Sequence, residues 1–462
     1  MKHKEHTVDM LHGPLYKNLI LFTLPMIASG ILQLLYNAAD VIVVGRWAGQ
    51  TSLAAVGSCG ALMNLVTNLF LGLSVGTSVM VAQRIGAGRY DEVHRAVQTT
   101  VTVSVIGGLI LGAAGYFLAR DALLAMSTPE DVIDLASLYL EICFLGVPGI
   151  MIYNFGAAVL RAIGDTRRPL YFLAASGMVN VVLNLVFVIA FHMDVAGVAL
   201  ATIISQYISA ALVVFCLMRS HECYHFDIRK MAVSGKDLLE MMRIGLPAGL
   251  QGTLFSLSNV IIQSTVNSFG SVVMAGNSAS ANLEGFIYVS MNALHQTALT
   301  FTGQNYGARQ YRRTGRILAD CLVLVCAVGL LLGLLVYVLR MPLLAIYAPG
   351  EEDVIAAGAI RCTIISLTYF TCGIMDVMVG GLRGLGYSVM PMIVSLLGAC
   401  GLRIVWIYTI FPLQPTLQCL YLSYPISWVV TSLVHVICYL VVHRRLPEDG
   451  QLPRPRRAAT AD

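Results

Sequence analysis

Apolar runs about twenty residues long recur from one end of this chain to the other, and that recurrence limits the fold more than any other feature. A helix rises ~1.5 Å per residue, so each run is long enough to cross the ~30 Å hydrocarbon layer of a bilayer. Twelve runs can be drawn, at 18–44, 52–82, 94–118, 133–156, 169–191, 196–218, 240–266, 276–302, 316–340, 354–378, 390–411 and 418–442. Only helices or closed barrels satisfy the peptide backbone in lipid, and the period-two alternation of a barrel strand is missing. The expected fold is therefore all-α, with twelve transmembrane helices. A charged fraction of 12% agrees, since soluble domains carry about 25%.

The few charges lie between the runs. With a cytoplasmic N-terminus, 24 of the 29 Lys and Arg residues fall on the inside, against three, Arg46, Arg120 and Arg340, on the outside. Both termini are expected in the cytoplasm of a multi-pass plasma-membrane protein. Arg361 and Arg403 fall within apolar runs. The net charge of +4 is scattered over short loops, which argues against a nucleic-acid partner and leaves the lipid bilayer as the surrounding medium. The 11 cysteines form no C-x-x-C pair, and most sit inside apolar runs as small hydrophobes. The basic start, Met1 to Lys17, leads into a run too long for a cleavable leader.

The chain also repeats itself at a spacing of about 222 residues. Leu24-Pro25 returns as Leu246-Pro247, Gln83-x-x-Gly86-Ala87 as Gln304-x-x-Gly307-Ala308, and Asp131-Val132-Ile133 as Asp353-Val354-Ile355. Leu160-Arg161-x-x-Gly164 and Pro169 return as Leu382-Arg383-x-x-Gly386 and Pro391. The period spans six helices, an even number, so both copies share one orientation and a pseudo-two-fold axis along the membrane normal is expected. This divides the chain into an N-terminal six-helix lobe (1–218), a polar cytoplasmic linker (219–239), a C-terminal six-helix lobe (240–443) and a cytoplasmic tail (444–462). Transporters use such paired bundles for alternating access.

Polar side chains inside a span are costly and therefore informative. Gln33, Tyr36, Asn37 and Asp40 fall at i, i+3, i+4 and i+7 on one face of the first helix. Ser176, Asn180 and Asn184 recur every fourth residue on the fifth, and Thr202, Ser205, Gln206 and Ser209 line the sixth. Three polar faces can converge on the carboxylate of Asp40. Such a cluster can hold a proton, because desolvation favours the neutral carboxyl, or Na⁺ through hard oxygen ligands. One carboxylate suffices for a proton and is thin for Na⁺, which favours the proton. The plainer alternative is that the amides and hydroxyls bind helix to helix. The later half has its own polar faces: Ser256, Asn259 and Gln263 on the seventh helix, Glu284, Tyr288, Asn292 and His295 on the eighth, and Asp376 at the repeat position of Asn154. Glu284 and Asp376 either attract a cationic substrate and take part in coupling, or pair with Arg361 or Arg403.

The stretch Gly13-Pro14-Leu15-Tyr16, Leu24-Pro25, Tyr36-Asn37-x-x-Asp40 and Val44-Gly45-Arg46 resembles the first helix of the multidrug and toxic compound extrusion (MATE) family. The Gln-x-x-Gly-Ala and Leu-Arg-x-x-Gly motifs resemble that family's cytoplasmic loops, and the likeness covers essentially the whole chain. It implies export of amphipathic, often cationic, organic compounds by a monomer, in exchange for protons or Na⁺ and without a cofactor. The family's cation site maps onto Asp40, Asn180, Asn184 and Thr202, with Tyr139 and Asn154 nearby. Many relatives carry a second aspartate where this chain has Asn184. Others carry a glutamate on the seventh helix where it reads Phe255 or Ser256.

Other patterns carry less. His221-x-x-x-His225 has metal-ligand spacing but no clear third ligand, so a solvated loop is expected. Gly381-x-x-Gly384-x-Gly386 follows no strand and precedes no Lys-Ser/Thr, so it is no phosphate loop. No catalytic constellation or nucleotide-binding domain is visible, which points away from an enzyme and toward an ion gradient as the energy source. A lipid-linked oligosaccharide flippase of related fold would need a more basic cavity, and a receptor or channel fits the six-plus-six repeat less well.

Overall fold

A computed structural model of the chain describes residues 7–48, 50–126, 128 and 130–451. Lys2, Lys4, Arg454, Arg456 and Arg457 of the basic inside set, and most of the 444–462 tail, lie outside the described residues.

The described chain is helical throughout. In order the spans are α1 (Leu15–Trp47), α2 (Gln50–Gly86), α3 (Tyr90–Ala125), α4 (Glu130–Leu145 with Val147–Ala162), α5 (Arg167–Ala190), α6 (Asp194–Arg219), α7 (Gly235–Asn267), α8 (Ser271–Gly307), α9 (Tyr311–Val338), α10 (Glu352–Gly384), α11 (Val389–Leu413) and α12 (Leu417–Arg444). A short helix, Arg340–Tyr347, joins α9 to α10. Most helices extend past the apolar runs at one or both ends, because hydrogen bonding continues into the polar loops after hydropathy falls. Among the described residues nine helices are long and apolar enough to span, and ten if the two parts of α4, bent by 43°, are one span. The remaining two, α7 and α8, have the length but not the apolarity. They are the helices that carry the second half's polar faces.

Breaks in helical regularity have identifiable causes. Pro25, Pro247 and Pro425 lie within α1, α7 and α12, and membrane helices tolerate proline because neighbours re-satisfy the freed groups. One turn after Pro25 in α1, Ser29 Oγ donates to the Pro25 carbonyl at 2.9 Å. α4 breaks at Gly146, before Pro148. Four π-helical segments occur among the described residues: Val44–Ala48, Val186–Ala190, Cys362–Ser366 and Leu396–Gly401.

The repeated loop motifs are helix C-caps. At the end of α2 the amide of Arg89 bonds the Arg84 carbonyl at 3.0 Å, and at the end of α8 that of Gln310 bonds Asn305 at 2.9 Å. After α4, Asp165 N bonds Leu160 O at 2.9 Å, and after α10, Tyr387 N bonds Leu382 O at 3.0 Å. These are the long bonds of Schellman-type ends, which need a left-handed residue. Gly164 and Gly386 supply it with φ of 98° and 84°. Gly88 does so after α2 at 67°, whereas after α8 the equivalent residue is Arg309, at 59°. A non-glycine residue there costs about 1–2 kcal/mol, and Arg309 is held by bonds to the chain after α12. Gly450 N donates to its carbonyl at 3.0 Å, and its own Nη1 reaches the Gly450 carbonyl at 3.3 Å.

The chain divides into two compact units. The first comprises residues up to Val8, Leu21–Val81 and Tyr90–Leu257; the second comprises Asp9–Ile20, Ala82–Arg89 and Ser258 onward. Within the first, α2 and the start of α7 cross with their backbones in contact. A Cβ on Gly72 would fall on Gly249, one on Gly76 on the Met241 carbonyl, and one on Gly245 at 2.8 Å from Leu73 Cα. Each helix presents a Gly-x-x-x-Gly pair at the crossing, the small-residue device by which membrane helices approach closely. Within the second unit the two Gln-x-x-Gly motifs pack on each other: a Cβ on Gly86 would meet the Gln304 carbonyl, and one on Gly307 the Gln83 carbonyl.

Candidate functional site

In the first unit, three helix ends converge. Val43, Val44, Val188 and Val198 form a buried apolar cluster against which Tyr139 of α4 packs, fixing the start of α6 near the π turns of α1 and α5. Just before that cluster lies the polar group. Asn184, 0% exposed, donates its side-chain amide to Asp40 Oδ1 and also to Asn180 Oδ1, the latter at 3.4 Å. Asn180 in turn donates to the Thr202 hydroxyl at 3.5 Å. Thr202 gives its proton to the Val198 carbonyl at 2.9 Å and stands against the Asp40 carboxylate. Tyr139 is within electrostatic reach of Asp40.

One atom of this group lacks a partner. Among the described residues, nothing donates a hydrogen bond to the buried Asn184 Oδ1. An unsatisfied buried acceptor is uncommon and costs about 1–3 kcal/mol. Here it sits on a side chain whose amide already touches a carboxylate.

The rest of the first-helix stripe divides. Tyr36 donates to the Ala174 carbonyl at 3.3 Å, and its ring occupies the space opened by Gly177 on α5. Gln33 and Asn37 are exposed. Asn154 spends its amide on the Ile150 carbonyl one turn back, at 2.9 Å, and no hydrogen bond joins it to Asp40 among the described residues. Gln206 packs into the α4 break, where a Cβ on Gly146 would lie 2.5 Å from its Oε1.

The second unit centres on a buried ion pair. Arg361 of α10 meets Glu284 of α8 through two bonds, Nε to Oε1 at 2.9 Å and Nη2 to Oε2 at 2.7 Å. Its Nη1 donates to Asn277 Oδ1 at 2.7 Å, which also accepts from Tyr421 at 3.2 Å. The Asn277 amide donates to Gln263 Oε1 at 2.9 Å, and Gln263 donates to Asn267 Oδ1 at 2.8 Å. Of the two readings open for Glu284, the structure shows the pairing with arginine. Asn277, the hub, was not singled out from sequence, although it lies seven residues before Glu284 on the same face of α8. His295 bonds the backbone carbonyl of Asp376 through Nδ1 at 2.6 Å, and Tyr288 and Asn292 lie on the same face of α8 with Tyr288 in electrostatic reach of the Asp376 side chain. Asn259 is exposed. Ser256 falls in the first unit, where it accepts from Asn68 of α2 at 3.0 Å.

In the linker, His225 bonds the Ser220 carbonyl through Nδ1 at 2.8 Å and stacks on His94, with ring centroids 6.3 Å apart. Among the described residues no group of three His, Cys, Asp or Glu side chains is placed to hold a metal.

Comparison with known proteins adds the following. A family model described as MatE matches residues 25–186 and again 247–409, the two copies of the internal repeat. A probable multidrug resistance protein of Bacillus subtilis, YpnP, is 30% identical over 397 residues, covering 86% of this chain and 88% of that one. A second B. subtilis protein of that description, YoeA, is 27% identical over 84% of this chain and 85% of its own length. A crystal structure of a MATE protein in complex with MaL6 superposes with a TM-score of 0.89 at 21% identity, covering 95% of this chain and 99% of that one.

Proposed function

The chain belongs to the MatE family of multidrug efflux transporters, and from that premise we propose that it exports cationic and amphipathic organic compounds by proton-coupled antiport through Asp40. It is a multi-pass membrane transporter of small organic molecules and not an enzyme. Its place in the plasma membrane, with both termini in the cytoplasm, is supported by the 24-to-3 asymmetry of loop charge.

The observation that carries the coupling proposal is the Asn184 contact. The amide donates directly to the Asp40 carboxylate while the carbonyl oxygen of the same side chain is left over. A protonated Asp40 would itself become a donor, and a turn of the Asn184 amide would offer it the idle oxygen. One proton thus exchanges one hydrogen bond for another and cancels the site's single negative charge. Na⁺ suits the geometry less well, because a hard cation needs several oxygens turned inward, and two of those present already accept from the Asn184 amide. With the charge gone, α1 is free to repack, and a state that differs in proton affinity is favoured.

A flippase is not favoured. Among the buried arginines that could hold a pyrophosphate, Arg361 is already matched by Glu284. The deciding experiment is dye uptake into everted vesicles under imposed gradients. Uptake should follow the pH gradient, persist without Na⁺ and collapse with a protonophore. A requirement for Na⁺ that survives the protonophore would transfer the coupling to Na⁺ held by Asp40, Asn180, Asn184 and Thr202.

A further inference from the structure

The linker between α6 and α7 is tied down at two points and stands free between them. Buried Gln98 of α3 brackets the backbone of Asp227, donating to its carbonyl at 3.2 Å and accepting from its amide at 2.7 Å. Seven residues later the amide of Ser234 donates to the hydroxyl of Thr99, the next residue of α3, at 3.1 Å. Tyr224 and Phe226 are buried just before the first tie, and the ring of His225 stacks on that of His94. Neighbouring Cα atoms lie only ~3.8 Å apart, so a stretch tied to two adjacent residues has to bow outward. Every residue of 228–233 is exposed. The bow encloses a pocket of about 300 Å³ whose walls include His94, Arg95 and Thr99 of α3 and Lys230, Ala232 and Val233 of the strap.

Two kinds of side chain project from this short strap. Ile228, Met231 and Val233 are exposed apolar groups, and Arg229 and Lys230 stand among them. The carboxylates nearby are largely occupied. Buried Asp237 accepts from Arg95 Nε at 3.0 Å, and the Arg95 side chain remains 50% exposed. Asp227 accepts from the backbone amide of Arg229 at 2.9 Å and lies 3.8 Å from Lys230 Nζ. No carboxylate pairs with the Arg229 guanidinium among the described residues. The strap joins two spans, leaving α6 at Arg219 and entering α7 at Gly235, so it lies at the edge of the hydrocarbon layer. Water is a poor neighbour for the three apolar side chains and hydrocarbon a poor one for the two cations. A bilayer interface with anionic headgroups suits both.

We propose that the strap 228–233 rests on the leaflet it faces and draws the headgroup of an anionic phospholipid into the pocket beside α3. Arg229, Lys230 and the exposed part of Arg95 supply the positive charge, and Ile228, Met231 and Val233 enter the acyl boundary. A free phosphate would match the charges but would leave Ala232, Val233 and the apolar side chains of the strap uncovered, which is why the occupant is a lipid. This site is separate from Asp40, and it depends neither on the export reading nor on which side of the membrane the linker faces.

The test uses the purified full chain in detergent micelles with phosphatidylglycerol or phosphatidylcholine of identical acyl chains, and native mass spectrometry to count the bound lipid. A basic residue at an anionic lipid surface changes affinity by about fivefold, so Arg229 and Lys230 together should give the wild-type chain a preference of about 25-fold for phosphatidylglycerol. Arg229→Gln and Lys230→Gln should each cut that preference to about fivefold, and the double variant should bring it near one. Met231→Ser should weaken both lipids by the same factor and keep the ratio. Equal binding of the two lipids by the wild-type chain, or a preference that the double variant retains, overturns the proposal. So does release of the lipid by millimolar inorganic phosphate, which would make the pocket a simple anion site. Unchanged binding of both lipids by Met231→Ser overturns the apolar contact. Should the double variant not fold, the two single variants decide.

Discussion

Asn184, wholly buried on α5, gives its amide to the carboxylate of Asp40 on α1, 144 residues earlier in the chain, and its own carbonyl oxygen has no partner among the described residues. The pair gives the proposed site one negative charge.

That single charge is the first thing to test. Asp40→Asn is nearly isosteric and removes only the titrating group, so the variant should insert and fold as the wild type does while gradient-driven export falls at least about a hundredfold. The measurement is initial-rate dye export at matched expression. Wild-type rates would take Asp40 out of the coupling step.

The buried pair of the second unit should behave as a stability element. Removing one member leaves the other charged and alone, which costs about 3–5 kcal/mol. Glu284→Gln should therefore lower the midpoint of thermal unfolding in detergent sharply. Glu284→Leu combined with Arg361→Leu should recover much of the loss. A double variant no better than the worse single one would show that Asn277 and Tyr421, not the paired charges, carry the stability.

The crossing of α2 and α7 predicts a contrast between two glycines of one helix. Gly72→Val has no room beside Gly249 and should destabilise by at least about 1–3 kcal/mol through overpacking. Gly57→Ala meets nothing within 4 Å and should be neutral or gain up to about 1 kcal/mol in helix propensity. Chemical denaturation in mixed micelles would rank the two, and equal effects would contradict the close approach.

Topology can be read with thiol reagents in a cysteine-free background. A cysteine at Gln414, exposed after α11, should react with an impermeant maleimide added outside intact cells, and one at Gly235, exposed at the start of α7, should react only after permeabilisation. The opposite pattern would invert the orientation argued from loop charge.

The sequence carried the helices and the repeat because each depends on local signals: apolar length, and cap motifs such as Gln83-x-x-Gly86 that recur with their hydrogen bonds intact. It carried Asp40 for a similar reason, since a carboxylate in an apolar run stands out by itself. Periodicity could not divide the stripe on α1. Gln33, Tyr36 and Asn37 share a face, yet only Tyr36 finds a neighbour, because Gly177 opens space for its ring. Nor could it say which arginine would answer Glu284. Arg361 and Arg403 look alike in the sequence, and only the packing of α8, α10 and α12 gives one a carboxylate and leaves the other with tyrosine and tryptophan. The shortfall of α7 and α8 as apolar spans has the same origin. Side chains such as Asn277 and Glu284 lower hydropathy, and their partners lie far along the chain.

The π turns have a genealogical consequence. A π turn holds one residue more than the α turn it replaces, so each of the four marks a place where a continuous helix can absorb a single inserted residue without losing its ends. Deleting Val188 should return α5 to plain α geometry while leaving the residues beyond it on the faces they now occupy. Relatives lacking a π turn at one of these places should show a one-residue gap there when aligned with this chain. The gap nearest Asn184 would date the moment at which the turn after the buried amide gained its extra residue.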